Sequence, residues 1–280
     1  MAPRIESLLA ARLFLFPQLV DDRIFFISNL SGHLSLYAMN YGGSVPEPLL
    51  PPHIALQNPE LIGGHSFHVF PNLGKILVMI DQDGDENYQP MLIPIEGGFP
   101  EPAFDNFFAS YRVHLTVCDD EQDIIYLTAE RRDKPLNETY HGDLAANKLK
   151  KIDESQWGGY VSAASPDHSR VLMGEGYTVG DGVLYLLDGK KKKVIYGKPL
   201  EKRKEGEQVP LNGLGAAEFS PGGNGALVTC SVFEDTYSLG YIAFDQPGML
   251  HPIKLKGIVH QGVGEMTGLE HLHEIGRAHV

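Results

Sequence analysis

Basic residues are in short supply. The chain of 280 residues has 23 Lys and Arg against 36 Asp and Glu, a formal charge of −13. Binding nucleic-acid phosphates takes a basic face, so this balance argues against such a partner. The one basic run, Lys190-Lys191-Lys192-Lys193 after Asp188-Gly189, reads as a solvated hairpin turn. Cysteine is nearly absent. Cys118 and Cys230 lie far apart, each in or beside an apolar run. They read as buried free thiols, which excludes a disulfide scaffold and suits a reducing compartment. No segment reaches the roughly 18 apolar residues of a membrane helix. A secretory leader is also missing from the reading. Leu8-Leu9-Ala10-Ala11 is broken by Arg12, and no cleavage pattern follows. These absences predict a cytoplasmic protein with neither nucleic-acid nor membrane partners, and no cofactor motif stands out.

What the chain does have is punctuation. Its 31 Gly and 19 Pro are spread along the whole length, and 42% of residues are hydrophobic. Evenly scattered breakers in an apolar sequence predict many short strands joined by turns. The last seven residues, Glu274 to Val280, stand apart. They resemble the translation of a widely used sequencing adapter and are excluded from fold reasoning. The expectation is a native segment 1–273 whose natural chain continues, followed by a non-native 274–280.

The punctuation is periodic. Gly42-Gly43-Ser44-Val45-Pro46-Glu47-Pro48 recurs as Gly97-Gly98-Phe99-Pro100-Glu101-Pro102, a step of 55 from 42 to 97. Ser165-Pro166-Asp167 recurs as Ser220-Pro221-Gly222, again a step of 55. Each unit opens with a turn, such as Val20-Asp21-Asp22 or Asn72-Leu73-Gly74. An apolar strand follows, such as Ile24–Ile27 or Ile76–Ile80. A polar turn then leads to a second strand and a short closing strand. Several strands are apolar at consecutive positions, so both faces must be covered. Four-stranded units at this period predict an all-β β-propeller. The native span holds about five blades of a larger ring, with 257–273 reading as the start of a sixth.

At these residues a family resemblance appears. The opening Ile5-Glu6-Ser7-Leu8 to Arg12, Pro17-Gln18-Leu19, Ile24–Ser28, Ser31-Gly32 and Leu36-Tyr37 resembles the N-terminal propeller of the prolyl oligopeptidase (S9) family of serine peptidases. Asp81 to Gln89 is similar to that family's second-blade hairpin. Ser165-Pro166-Asp167 and Phe219-Ser220-Pro221 resemble the blade-opening motif of TolB-like propellers. The resemblance implies an acylaminoacyl-peptidase-like or dipeptidyl-aminopeptidase-like enzyme. In it the propeller precedes an α/β-hydrolase domain holding a Ser-Asp-His triad and admits only peptides. No catalytic residue carries over to this chain. No Ser lies in G-x-S-x-G: at Gly64-His65-Ser66, the second Gly is replaced by His68. The paired glutamates of the dipeptidyl-peptidase branch are also missing.

Other constellations are weaker. Asp81-x-Asp83-x-Asp85 suggests calcium, but Glu86 and Leu92 stand where an EF-hand loop needs Gly and Glu. It reads as an acidic hairpin. His65-x-x-His68 and His271-x-His273 are too few for a closed metal site. Strand alternation would put His65 and His68 on opposite faces. Trp157, the sole tryptophan, reads as an inter-blade core residue rather than a ligand-stacking one. Arg112 and Arg131-Arg132-Asp133 could reach a central channel, with surface salt-bridging as the plainer reading.

The sequence therefore predicts the substrate-gating propeller of a cytoplasmic serine peptidase. Peptide substrates would be hydrolysed by a C-terminal domain outside this chain. The alternatives are a free-standing TolB-like scaffold and a propeller enzyme with a metal in its channel. Substrate preference and oligomeric state have no signal in the sequence.

Overall fold

The computed structural model describes residues 11–56, 59, 64–81, 84–254, 256, 266 and 269. The segment 257–273, apart from 266 and 269, and the adapter-like 274–280 lie outside the described residues. Among the described residues, twenty strands form five four-stranded antiparallel sheets, each in simple sequence order. The first holds β1 (Phe14–Val20), β2 (Arg23–Ser28), β3 (Ser35–Asn40) and β4 (Glu47–Pro48). The second holds β5 (Phe67–Phe70), β6 (Lys75–Ile80), β7 (Gln89–Pro94) and β8 (Glu101–Pro102). The third holds β9 (Tyr111–Asp119), β10 (Ile124–Arg131), β11 (Asn137–Asp143) and β12 (Lys148–Ser155). The fourth holds β13 (Tyr160–Ala164), β14 (Arg170–Thr178), β15 (Asp181–Asp188) and β16 (Lys191–Tyr196). The fifth holds β17 (Ala217–Phe219), β18 (Gly225–Cys230), β19 (Ser238–Ala243) and β20 (Leu250–Pro252). Four-stranded meanders repeated in this way are the blade units of a β-propeller.

The 55-residue step is a step between equivalent turns. Gly42-Gly43 follows β3 and Gly97-Gly98 follows β7. All four glycines have positive φ, a conformation that side chains rarely adopt. The Ser-Pro turns match bond for bond. Ser165 N–H donates to Arg170 O at 2.8 Å, as Ser220 N–H donates to Gly225 O at 2.9 Å. His168 N–H closes the first turn on Ser165 O and Gly223 N–H the second on Ser220 O, both at 2.8 Å. In the first, the Asp167 carboxylate also accepts from Ser165 Oγ and from Ser169 N–H and Oγ. These bonds hold its pKa down to about 2.

The chain divides into two compact units, residues 1–135 with 140–151 and residues 136–139 with 152–280. In the first unit one strand feeds two cores. Ile76, Leu77, Val78 and Met79 of β6 are all 0–1% exposed. Alternation sends Ile76 and Val78 to a core with Phe25, Ile27 and Leu36. It sends Leu77 and Met79 to another core, with Phe104, Val113 and Ile125. Burying each such side chain is worth roughly 1.5–3 kcal/mol. In the second unit, Leu172, Leu184 and Leu186 pack with Phe219, Val228 and Ile242 in a single core.

Side chains on the first strands add directed bonds. Gln18 of β1 donates through Nε2 to Phe67 O (3.3 Å) and accepts from Val69 N–H (3.1 Å), gripping β5 at both polarities. Ser162 of β13 does the same to Ala217 of β17, donating to its carbonyl and accepting from its N–H, both at 2.8 Å. Ser162 is the extra residue of a bulge, because the register slips between Val161 and Ala163. A bulge re-aims a side chain that would otherwise follow the pleat. β1 has its own bulge between Leu15 and Gln18, spanning Pro17, which has no N–H to give a ladder.

Candidate functional site

A cleft of the second unit forms where β12 ends and β14 overruns its apolar stretch. Val171, Leu172 and Met173 are core, but β14 continues through Glu175 to Thr178. Tyr177 is the unpaired residue of a bulge, since the register slips between Gly176 and Thr178, and its hydroxyl turns back onto Glu175. Glu175 is 7% exposed. Its carboxylate accepts from Ser155 Oγ (2.6 Å), Tyr185 OH (2.8 Å) and Tyr177 OH (2.9 Å), with Lys192 Nζ at 3.8 Å. Burial pushes its pKa up. The three hydroxyl bonds and the ammonium together outweigh that push, and the net shift is downward. Burial, with the neighbouring carboxylate, raises the Tyr185 and Tyr177 hydroxyl pKa values, so both stay protonated as donors.

Glu175 holds two walls. Ser155 Oγ, which donates to it, accepts from Trp157 N–H at 2.9 Å. The Trp157 and Tyr177 rings meet at right angles, with centroids 5.8 Å apart. Tyr177 OH also accepts from Leu200 N–H at 3.2 Å. That bond fixes the segment from Pro199 to Lys202, which Arg203 pins by a bidentate pair to Asp181 at 2.6 and 2.8 Å. The cleft is open to solvent and holds about 340 Å³, large enough for a side chain or small ligand. Trp157, Tyr185 and Pro199 give it apolar surface. Glu154, Glu201, Lys192 and Lys202 give it charge. A second cavity in the same unit, beside Gly174 and Gly182, is only about 70 Å³.

The sequence placed Trp157 in a core. The structure leaves it 45% exposed on this cleft, because it follows the end of β12 and runs into Gly158-Gly159. The lysine run also departs from expectation. Only its start is turn, and Lys191, Lys192 and Lys193 belong to β16. Lys192 reaches Asp153 Oδ2 at 2.5 Å, and Lys193 donates to Phe244 O at 2.8 Å.

His65 and His68 were expected on opposite faces. Instead their rings lie 6.2 Å apart, edge to face. The strand begins only at Phe67, and Ser66 sits in a bend that breaks the alternation. Burial, then the neighbouring His68, lowers the His65 pKa. His68 Nε2 pairs with Asp120 Oδ1 at 3.3 Å. Ser66 Oγ is buried without a hydrogen-bond partner among the described residues and leads into a strand, not the helix of a nucleophile elbow. Asp83, His271 and His273 lie outside the described residues. Asp81 and Asp85 accept from Glu86 N–H and Asn87 N–H, which makes them turn-forming carboxylates. Among the described residues, no three His, Cys, Asp or Glu side chains form a metal-holding group. Arg131 is bound to Asp133 at 2.7 and 2.8 Å, the surface pairing expected of it. Cys118 is half-buried and Cys230 buried, both unpaired in disulfides. No helix among the described residues is long and apolar enough to cross a membrane.

No protein-family model matches the sequence, and no curated protein does. Solved structures do match. A prolyl endopeptidase superposes with a TM-score of 0.61 at 10% identity, over 90% of this chain and 38% of that one. A puromycin-hydrolyzing peptidase of Mycobacterium tuberculosis gives 0.59 at 10% identity, over 86% of this chain and 39% of that one. A putative TolB from Agrobacterium tumefaciens gives 0.53 at 15% identity, over 86% and 80%. The chain thus spans about two-fifths of the two peptidases. At such identities the likeness concerns the fold alone, and the fold is that of a β-propeller of the kind found in TolB and the prolyl endopeptidases.

Proposed function

We propose that this chain is the substrate-gating propeller portion of a cytoplasmic serine peptidase. Hydrolysis would be performed by a C-terminal α/β-hydrolase domain that the chain does not contain. There a Ser activated by His and Asp would attack a peptide carbonyl, with backbone N–H groups holding the oxyanion. The observation that supports this reading is the pattern of coverage. Almost the whole of this chain, 86–90%, corresponds to only 38–39% of the two peptidases. The residues of the first blade, Ile24–Ser28 with Leu36-Tyr37, point the same way.

The second reading is a free-standing TolB-like scaffold. It is favoured by the match to the Agrobacterium tumefaciens TolB, in which both chains are largely covered. One measurement separates the two: a long read of the source DNA across the codon for His273. The peptidase reading requires further blades and then a G-x-S-x-G elbow followed by Asp and His. A stop soon after the last blade would reject it in favour of the scaffold. If an elbow is found, the full-length product should react with a fluorophosphonate probe, and replacing the elbow serine should abolish labelling.

A further inference from the structure

We infer that the cleft beside Trp157 binds the guanidinium side chain of an arginine-bearing peptide segment. The inference is independent of whether a hydrolase domain follows. Three aromatic rings cluster at this site. The face of Tyr185 is occupied by Lys192 Nζ, 4.4 Å from its centroid. The face of Tyr177 is occupied by the Arg203 guanidinium at 5.0 Å. Trp157 is the strongest cation-binding ring of the three, and among the described residues no cation covers it. It is 45% exposed, its backbone N–H is bound to Ser155 Oγ, and its ring meets that of Tyr177 at right angles.

Charge selects the ligand. Glu154, Glu175 and Glu201 line the cleft against Lys192 and Lys202. The Lys192 ammonium is already committed to Asp153. The excess is acidic, in a chain whose formal charge is −13. Glu175 is filled by its three hydroxyl donors, so the carboxylate an incoming cation would meet beside the indole is Glu201. A hydroxylated ligand such as a sugar is disfavoured for a different reason. The Ser155 and Tyr185 hydroxyls donate to Glu175, so their protons are unavailable. Guanidinium suits the site better than ammonium because its flat face stacks on indole while its edge bonds carboxylate.

Trp157 is the only tryptophan, so its emission reports on this cleft alone. The 280-residue chain would be titrated with acetyl-Gly-Arg-Gly-amide and with the citrulline counterpart, which has nearly the same shape and no charge. The expected result is a saturable change with the arginine peptide, weakened by salt, and binding about tenfold weaker with citrulline. Glu201→Gln should weaken arginine binding and Lys202→Gln should strengthen it, each about two- to fivefold. The opposite signs keep the test sound if either variant folds poorly. Equal responses to arginine and citrulline, or no saturable response, would overturn the inference. So would a saturable response to maltotriose with none to arginine.

Discussion

Glu175 and Asp123 are buried to nearly the same degree, 7% and 9% exposed, yet their carboxyls shift in opposite directions. Glu175 faces three hydroxyl donors and an ammonium, and its pKa falls. Asp123 lies in the turn between β9 and β10, with Oδ1 buried and without a partner among the described residues. Burial raises its pKa, and Asp143, Asp119 and Asp120 raise it further. Depth is therefore a poor guide to the state of a carboxylate; the company it keeps decides. The first group ties a cleft together, and the second is a charge the turn tolerates.

The comparison breaks most visibly at Glu175. Glu175→Ala strands three hydroxyls and should cost about 3 kcal/mol, read as a lowered denaturation midpoint. Trp157 emission should shift to the red with it, since the wall it anchors loosens. Tyr185→Phe removes one of the three donors and should cost about 1 kcal/mol. A loss as large as that of Glu175→Ala would show that packing of the ring, not the carboxylate, holds the site. Asp123→Asn should go the other way and raise stability by about 0.5–1 kcal/mol at neutral pH, since it removes an unpaired buried charge. Asn also accepts the positive φ of 57° found there.

The pH dependence has opposite signs at the two sites. Glu175 has a folded pKa below its ordinary 4.5. Its contribution is complete above that value and is lost as pH falls through the folded pKa. Asp123 has a folded pKa above its ordinary 3.8. Its penalty is absent below 3.8 and grows as pH rises through the folded value. The gain from Asp123→Asn should therefore vanish in acid, and an equal gain at pH 3 and pH 7 would refute the assignment. The smallest effect is expected at Asp133. Arg131 holds its pKa down to about 2, but the side chain is 65% exposed. Solvent screens such a pair, and Asp133→Asn should leave the midpoint unmoved.

The blades were legible in the sequence because their signals are local. The Gly-Gly and Ser-Pro turns repeat at one step, and β2, β6 and β10 read as unbroken apolar runs. The first strand of each sheet was harder to see. β1 contains Pro17 and a bulge, and its outward faces are not consistently apolar, so no period-2 pattern announces it. The cleft was hidden for another reason. Ser155, Glu175 and Tyr185 stand 20 and 10 residues apart, and no spacing rule links them. The one local hint was the Glu-x-Tyr alternation at the end of β14, past the point where its apolar run stops. Trp157 was misplaced because a lone tryptophan is usually core, and nothing in its neighbours reveals that β12 ends before it.

The paired bonds made by Gln18 and Ser162 have an evolutionary side. Each grips only backbone in the next first strand, a donor and an acceptor that every residue but proline supplies. The sequence of the receiving strand is thus nearly free to drift. A duplicated stretch of gene would carry its fastener with it and would find a ready counterpart in whatever unit it landed beside. Propellers built this way can gain or lose whole units of about 50 codons without a new interface having to arise, while the residues outside the fastener diverge until little identity remains.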